Sequence, residues 1–332
     1  MSTNVEVGEP RADTARGSSP ALRPSKRKVR WFEVAGFTVP ALVVYVAFVF
    51  VPIGFGVVMS LHDGSRIAPL NNFVGLDNFI NIFTGGRMFG QPFFWDAVRN
   101  NFLIAILSLL LQGPIAIGIA LLLNRKMKFR GIVRMLIFVP WIVSEVITGV
   151  MFQMLLMPNG AIAVWLERIG LGSIAGTQWL ADIGTGGLTS VTFWTVMAVL
   201  TWKYIGMAII LFLAGLSGIP DELTEAAQID GASWWQIQRK ITLPLLGPTV
   251  RIWAFLSIIG SFQLFDMIWI LTRANPTIVG MDTMATYMVQ VGMSRDRVGY
   301  GSAIAVVLFV ITLIVALTYQ RFILNRDIGK ES

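Results

Sequence analysis

The 332-residue sequence has no cysteine and a single histidine, His62. Disulfides, thiolate metal sites and cysteine nucleophiles are therefore excluded, and a histidine-based metal centre is impossible. Charge is also scarce: 14% of residues are charged against 55% hydrophobic, whereas a soluble domain carries about 25% charged residues. No Gly-x-x-x-x-Gly-Lys-[Ser/Thr] phosphate loop occurs, so the chain has no P-loop of its own for ATP. With a mean hydropathy of +0.69, the chain is expected to be solvated mainly by lipid. The formal net charge of +7 raises nucleic acid as a partner. The basic residues instead flank apolar runs, where they serve as topology signals.

Six apolar segments are present, at about Val34–Leu61, Val98–Leu123, Ile132–Met157, Leu188–Ser217, Thr249–Thr272 and Tyr300–Ile323. Each exceeds the roughly 20 residues that a helix needs to cross a bilayer. The expectation is an all-α membrane protein with six transmembrane helices. Pro40, Pro52, Pro114 and Pro140 fall within the runs. Neighbouring helices are expected to satisfy the backbone groups they free. His62, at the edge of the first run, reads as an interfacial polar group. Residues 1–32, rich in Ser, Pro, Arg and Ala, are expected to be a disordered basic tail rather than a secretory signal. The membrane-spanning domain is expected over 33–325, with a short tail at 326–332.

Lys and Arg set the orientation. Arg23, Lys26, Arg27, Lys28 and Arg30 precede the first run, Arg125 to Arg134 lie between the second and third, and Arg239, Lys240 and Arg251 lie between the fourth and fifth. Arg321, Arg326 and Lys330 follow the sixth, while the alternate loops are poorer. The positive-inside rule puts both termini in the cytoplasm of a multi-pass cell-membrane protein. The segment 62–97, with Asn71, Asn72, Phe73, Gly75 and Asn78, is then expected to be an ordered outer loop.

The stretch Pro220–Pro248 is polar but patterned as two short helices. Pro220 suits a first helical turn, and Asp221, Glu222 and Glu225 suit its positive end. Gly231, after Asp230, suits a left-handed stop. Ser233 and Gln236 have capping-box spacing for a second helix. Arg239 and Lys240 sit at its negative end, and Leu243-Pro244 is expected to stop it. A helix–glycine–helix elbow over 218–248 follows from local chemistry alone.

Glu225-Ala226-Ala227, three residues, Gly231, nine residues, then Ile241-x-Leu243-Pro244 resembles the EAA loop of ABC importer permeases at every motif position. Phe73-Val74-Gly75-Leu76-Asp77-Asn78-Phe79, Asn124-Arg125-Lys126, Phe138-Val139-Pro140-Trp141, Phe265-Asp266 and Gly299-Tyr300-Gly301-Ser302-Ala303 look like the sugar-permease branch of that family. Where the family often has Gly-Gly-Pro after the fifth span, this chain has Arg273-Ala274-Asn275-Pro276. The resemblance implies a type I importer permease whose cytoplasmic helix-turn-helix loop docks on a separate ATPase through Glu225, Ala226, Ala227, Asp230, Gly231, Ile241, Leu243 and Pro244. It further implies an ATPase dimer that binds ATP and Mg, a second permease in a heterodimer, and an extracytoplasmic solute-binding protein. No cofactor is expected in this chain, and it is not itself an enzyme.

Ionisable residues inside spans are costly and are functional candidates. Glu145, Lys203, Asp266 and their neighbours Tyr204, Gln263 and Trp269 are the candidate substrate path, with Gln112 and Gln153 as further polar groups. Amides and carboxylates bind sugar hydroxyls, and aromatic faces stack on sugar C–H surfaces. Gln263, Asp266 and Trp269 are spaced to share one helical face. The blander readings are an ion pair between Glu145 and Lys203, an interfacial Asp266, and aromatics serving as belts. The leading function is an ATP-driven carbohydrate importer subunit. A glycerol-phosphate-type cargo is an alternative. An ion-coupled transporter would need interrupted spans near Glu145 and Asp266 but gives the elbow no role. An intramembrane protease lacks its metal ligands or matched aspartates.

Overall fold

The computed structural model describes residues 31–84, 94–125, 128–180, 187–273 and 281–324. The expected N-terminal tail, but for its last two residues, and the C-terminal tail lie outside the described residues. Four helices are individually long and apolar enough to cross a membrane: α1 (Ala35–Ser60), α3 (Phe94–Asn124), α7 (Val191–Ser217) and α13 (Val298–Ile323). Between the first two lies the short α2 (Asp77–Thr84). The third and fifth spans are each broken. The third consists of α4 (Arg130–Ile142) and α5 (Glu145–Leu155), bent by 94°. The fifth begins with α10 (Gly247–Gln263), which the preceding α9 (Trp234–Leu245) meets at a bend of 63°. Further short helices are α6 (Ala161–Arg168), α8 (Asp221–Ile229), α11 (Asp266–Arg273) and α12 (Met284–Val289). Among the described residues the one extended pairing is an isolated bridge between His62 and Phe73.

The chain divides into Met1–Pro52 and Ile53–Ser332. In the first unit, the rings of Tyr45 and Phe50 meet edge to face at 5.5 Å. The second unit is built around α3, α7 and α10. One apolar cluster joins Phe94 and Ala97 of α3 to Phe262, Tyr287 and Ile304. A second joins Ile104 to Phe193 and Leu200 of α7 and Ile268 of α11. The third joins Ala116 and Ala120 to Phe212, Leu246 and Trp253. Small residues on α3 allow this close packing. Buried amides cross-link the layers: Asn101 Nδ2 donates to the Ser261 carbonyl at 2.6 Å, and its Oδ1 accepts from the Met284 amide at 2.8 Å.

Three of the prolines share one local device. Wide π-turns at Val46–Phe50, Ser108–Gln112 and Gln238–Thr242 end two residues before Pro52, Pro114 and Pro244. In each, the residue before the proline donates its N–H five positions back. The wider turn moves backbone away from the pyrrolidine ring, so the helix continues where an α-turn would clash. Pro244 therefore does not stop the second elbow helix as expected. α9 runs through it to Leu245, and the bend falls at Leu246. Pro220 likewise sits one position earlier than expected, as the N-cap of α8 rather than in its first turn.

The 62–84 segment is ordered. Asn78, buried, donates to the carbonyls of Ser60 and His62 at 2.9 and 3.0 Å. The half-buried His62 ring donates through Nδ1 to the Val58 carbonyl at 2.8 Å and lies edge-on to Phe73. Arg66 binds Asp296 Oδ1 through its main-chain N–H and its Nε at 2.9 and 3.0 Å.

Candidate functional site: a cavity at two helix breaks, and a helix elbow

The break in the third span is held by charge. At the C-terminal end of α4 the backbone turns extended at Val143, which leaves carbonyls without intrahelical partners. The Lys203 ammonium, buried on α7, donates to the carbonyls of Pro140 (3.0 Å), Trp141 (3.3 Å) and Val143. A cation at a helix C-terminus is favourable, as is an anion at an N-terminus. Glu145 is the first residue of α5 and accepts a 2.6 Å hydrogen bond from Tyr204 Oη. Thus Glu145 and Lys203 are not an ion pair. Each is held at one of the two helix ends that the break creates, and Tyr204 is held by Glu145.

The fifth span is also broken within its length. Its helix ends at Gln263, Leu264 is extended (ψ 115°), and Asp266 opens α11. The Thr283 hydroxyl takes up the Leu264 carbonyl at 2.8 Å. This break overturns the expectation that Gln263, Asp266 and Trp269 share one helical face, because α-helical spacing does not run through an extended residue. Trp269 instead stacks on Phe265, with centroids 5.4 Å apart and planes 27° apart. α11 packs against α5: a Cβ on Gly149 would lie 2.9 Å from the Ile270 side chain, and Gln153 Nε2 donates to the Ile270 carbonyl at 3.3 Å.

A cavity of about 430 Å³ opens where the two breaks meet α3 and α7. Glu145, Tyr204, Gln263 and Asp266 line it, with Ser108, Gln112, Thr201 and Ser257 as further polar groups and Trp141, Trp253 and Phe265 as aromatic walls. Neither Lys203 nor Trp269 is part of the lining. Among the described residues no Lys or Arg lines it, and the charged groups they supply are its two carboxylates. Sequence reasoning missed Trp141 and Trp253, which stand in apolar runs like any packing aromatic. Only the fold turns them inward.

The elbow forms as its local chemistry requires. Gly231 is left-handed, with φ +78°. Its N–H bonds the Gln228 carbonyl at 3.0 Å, and the Ala232 N–H bonds the Ala227 carbonyl at 2.9 Å. These two bonds make a Schellman stop for α8. Ser233 and Gln236 complete the capping box of α9, with Ser233 N–H to Gln236 Oε1 at 2.7 Å and Gln236 N–H to Ser233 Oγ at 3.4 Å. Glu225, Ala226, Asp230 and Gly231 are exposed, as are Leu243 and Pro244, whereas Ala227 and Ile241 are half-buried. Ile229 and Trp235 are 87% and 74% exposed, so the elbow presents apolar side chains outward. Arg125, at the end of α3, stacks its guanidinium 4.2 Å from the Trp234 ring centroid and ties the elbow to the span.

Residues 112–330 match the family model described as a binding-protein-dependent transport system inner membrane component. The chain is 31% identical to the arabinooligosaccharides transport system permease protein AraP of Bacillus subtilis, over 85% of each chain. It is 30% identical to the diacetylchitobiose uptake system permease protein NgcF of Streptomyces coelicolor, over 96% of this chain and 92% of that one. Among solved structures, a chain of a bacterial ABC transporter involved in import of the acidic polysaccharide alginate superposes with a TM-score of 0.73 at 25% identity, over 89% of this chain and 97% of that one. The interrupted spans beside Glu145 and Asp266 are what an ion-coupled carrier would also show, but the family match covers those spans and the elbow together. The chain therefore belongs to the family of binding-protein-dependent transport system inner membrane components, as a multi-pass permease subunit of an ABC importer and not an enzyme.

Proposed function

We propose that this subunit carries a neutral carbohydrate, handed over by a solute-binding protein, into the cytoplasm through the cavity between the two helix breaks. The observation that carries this reading is the cavity's lining. Hydroxyl, amide and carboxylate groups surround a space walled by Trp141, Trp253 and Phe265, the chemistry that holds sugar hydroxyls and stacks on sugar rings. An anionic cargo, including a glycerol phosphate, would meet Glu145 and Asp266 with no cation among the described lining residues to offset them. Relatives named for arabinooligosaccharide and diacetylchitobiose uptake are in keeping with a saccharide.

Energy comes from a separate ATPase pair, which binds ATP and Mg and docks on the elbow. Its exposed Glu225, Ala226, Asp230 and Gly231, together with the outward Ile229 and Trp235, supply the contact. Ala227, Ile241, Leu243 and Pro244 hold the two elbow helices in register with the fifth span. A second, different permease completes the path, and both termini lie in the cytoplasm with the elbow.

The test is uptake into proteoliposomes containing the complex, loaded with ATP. Neutral oligosaccharide should enter only with internal ATP and binding protein, unaffected by collapse of ion gradients, and glycerol phosphate should not compete. Uptake driven by an ion gradient without ATP would overturn the reading.

A further inference from the structure

A second crevice lies between α4 and α7. At Gly206 of α7 an added Cβ would meet the Ile137 carbonyl oxygen of α4, so the two backbones touch there. Toward the elbow end of α7, a crevice of about 430 Å³ remains between the helices. Its walls are apolar, including Phe138, Ile209, Ile210 and Leu213, and its end carries Arg134 and Ser217. The Ser217 hydroxyl donates to the Leu213 carbonyl at 2.8 Å.

Arg130 lies one turn before Arg134, on the same face of α4. The Nε atoms of both are shielded from water and have no hydrogen-bond partner. Neither arginine has an ion pair among the described residues, and the sequence from Ala97 to Ser144 contains no Asp or Glu. Lys128, exposed, adds a third positive charge just before α4. Like charges one turn apart are unfavourable, more so at the positive end of a helix. An anion between the two guanidinium groups reverses that balance through charge-assisted hydrogen bonds.

We propose that the α4–α7 crevice binds an anionic phospholipid, its phosphate on Arg130 and Arg134 and one acyl chain along Phe138, Ile209 and Leu213. From Ile209 to Ser217 the crevice follows α7 for roughly 12 Å at 1.5 Å per residue. A free phosphate would use the arginines and leave this apolar length bare. An acyl chain is slender and apolar enough to follow this length, and it carries the headgroup phosphate to the end where Arg134 stands. Basic pockets between transmembrane helices are a recurrent site for anionic headgroups.

The test is native mass spectrometry of the assembled complex, titrated with phosphatidylglycerol, phosphatidylcholine or free glycerol phosphate. The wild type should retain phosphatidylglycerol in preference to phosphatidylcholine. Each arginine near an anionic headgroup is worth roughly fivefold in affinity, so Arg130→Gln with Arg134→Gln should weaken phosphatidylglycerol binding about thirtyfold. Binding of phosphatidylcholine should not change. Ala214→Trp fills the crevice, keeps both charges, and should also weaken phosphatidylglycerol binding. Unchanged phosphatidylglycerol affinity in both variants would overturn the proposal. So would competition by glycerol phosphate as effective as whole lipid, or a photocrosslinker at Ile210 that labels the second permease instead of a lipid chain.

Discussion

Lys203 Nζ lies 3.0 Å from the carbonyl oxygen of Pro140, across from the point where the third span turns by 94°. The same ammonium bonds the Trp141 and Val143 carbonyls. A lysine in the middle of an apolar helix is thereby the cap of a neighbouring helix, and its cost is offset by three backbone acceptors that would otherwise be bare. Lys203→Met should strand those acceptors at roughly 1–3 kcal/mol each. Its melting temperature in detergent should fall sharply, with Lys203→Arg intermediate. A Lys203→Met protein that melts like wild type and loses only transport would instead put this lysine in the substrate path.

The elbow separates shape from contact. Nothing lies within 4 Å of a Cβ added at Gly231, so a substitution there meets only the left-handed backbone. Gly231→Ala should cost roughly 1–2 kcal/mol locally, and the β-branched Gly231→Val more. Glu225→Lys, at an exposed position, should leave melting unchanged. Both Gly231→Val and Glu225→Lys should reduce ATP-coupled uptake and ATPase co-purification while membrane insertion stays normal. Wild-type uptake in both would remove the elbow from coupling.

In the cavity, Tyr204→Phe deletes the hydroxyl that holds Glu145, and Asp266→Ala and Gln263→Ala remove lining groups. At ~1.5 kcal/mol per hydrogen bond to a charged group, the KM for sugar should rise roughly tenfold for Asp266→Ala, with basal ATPase retained. Trp269→Ala should have a smaller effect, exerted through the loss of its stacking on Phe265. Equal effects of Trp269→Ala and Asp266→Ala would show that the tryptophan touches cargo directly.

Asp282, outside the spans, predicts a pH dependence. Burial pushes its carboxyl up from 3.8 to about 6, against the opposing hydrogen bond from Thr286. The folded chain therefore holds this proton more tightly than the unfolded chain. Its contribution to stability is fully present below 3.8 and is lost as pH rises to about 6. Thermal melting should fall across that window and then level off. Asp282→Asn should flatten the step and melt higher at neutral pH. A wild-type profile that rises with pH over this range would contradict it.

Gly231, the Ser233–Gln236 box and the acidic start of α8 were legible because each acts within a few residues of itself. The six spans were legible because a bilayer-length apolar run is a property of composition. Val143 and Leu264 were not. Nothing in their local sequence marks an extended residue, and the breaks persist because Lys203 and Thr283, remote along the chain, satisfy the carbonyls they expose. The π-turns before Pro52, Pro114 and Pro244 were missed for a different reason: a proline announces a disturbance but not whether the helix will end or widen. Arg125 was read as a topology charge, and its stacking on Trp234 needed the elbow folded back onto α3.

By itself, then, the sequence determined the helical class, the number of apolar crossings and the elbow with its glycine stop, since propensity, capping and hydrophobic length are short-range quantities. Only the tertiary structure decided that Glu145, Tyr204, Gln263 and Asp266 share one cavity while Lys203 and Trp269 stand outside it. That choice turns on two interrupted helices. In an apolar interior an interruption survives only where another part of the chain supplies the missing hydrogen bonds.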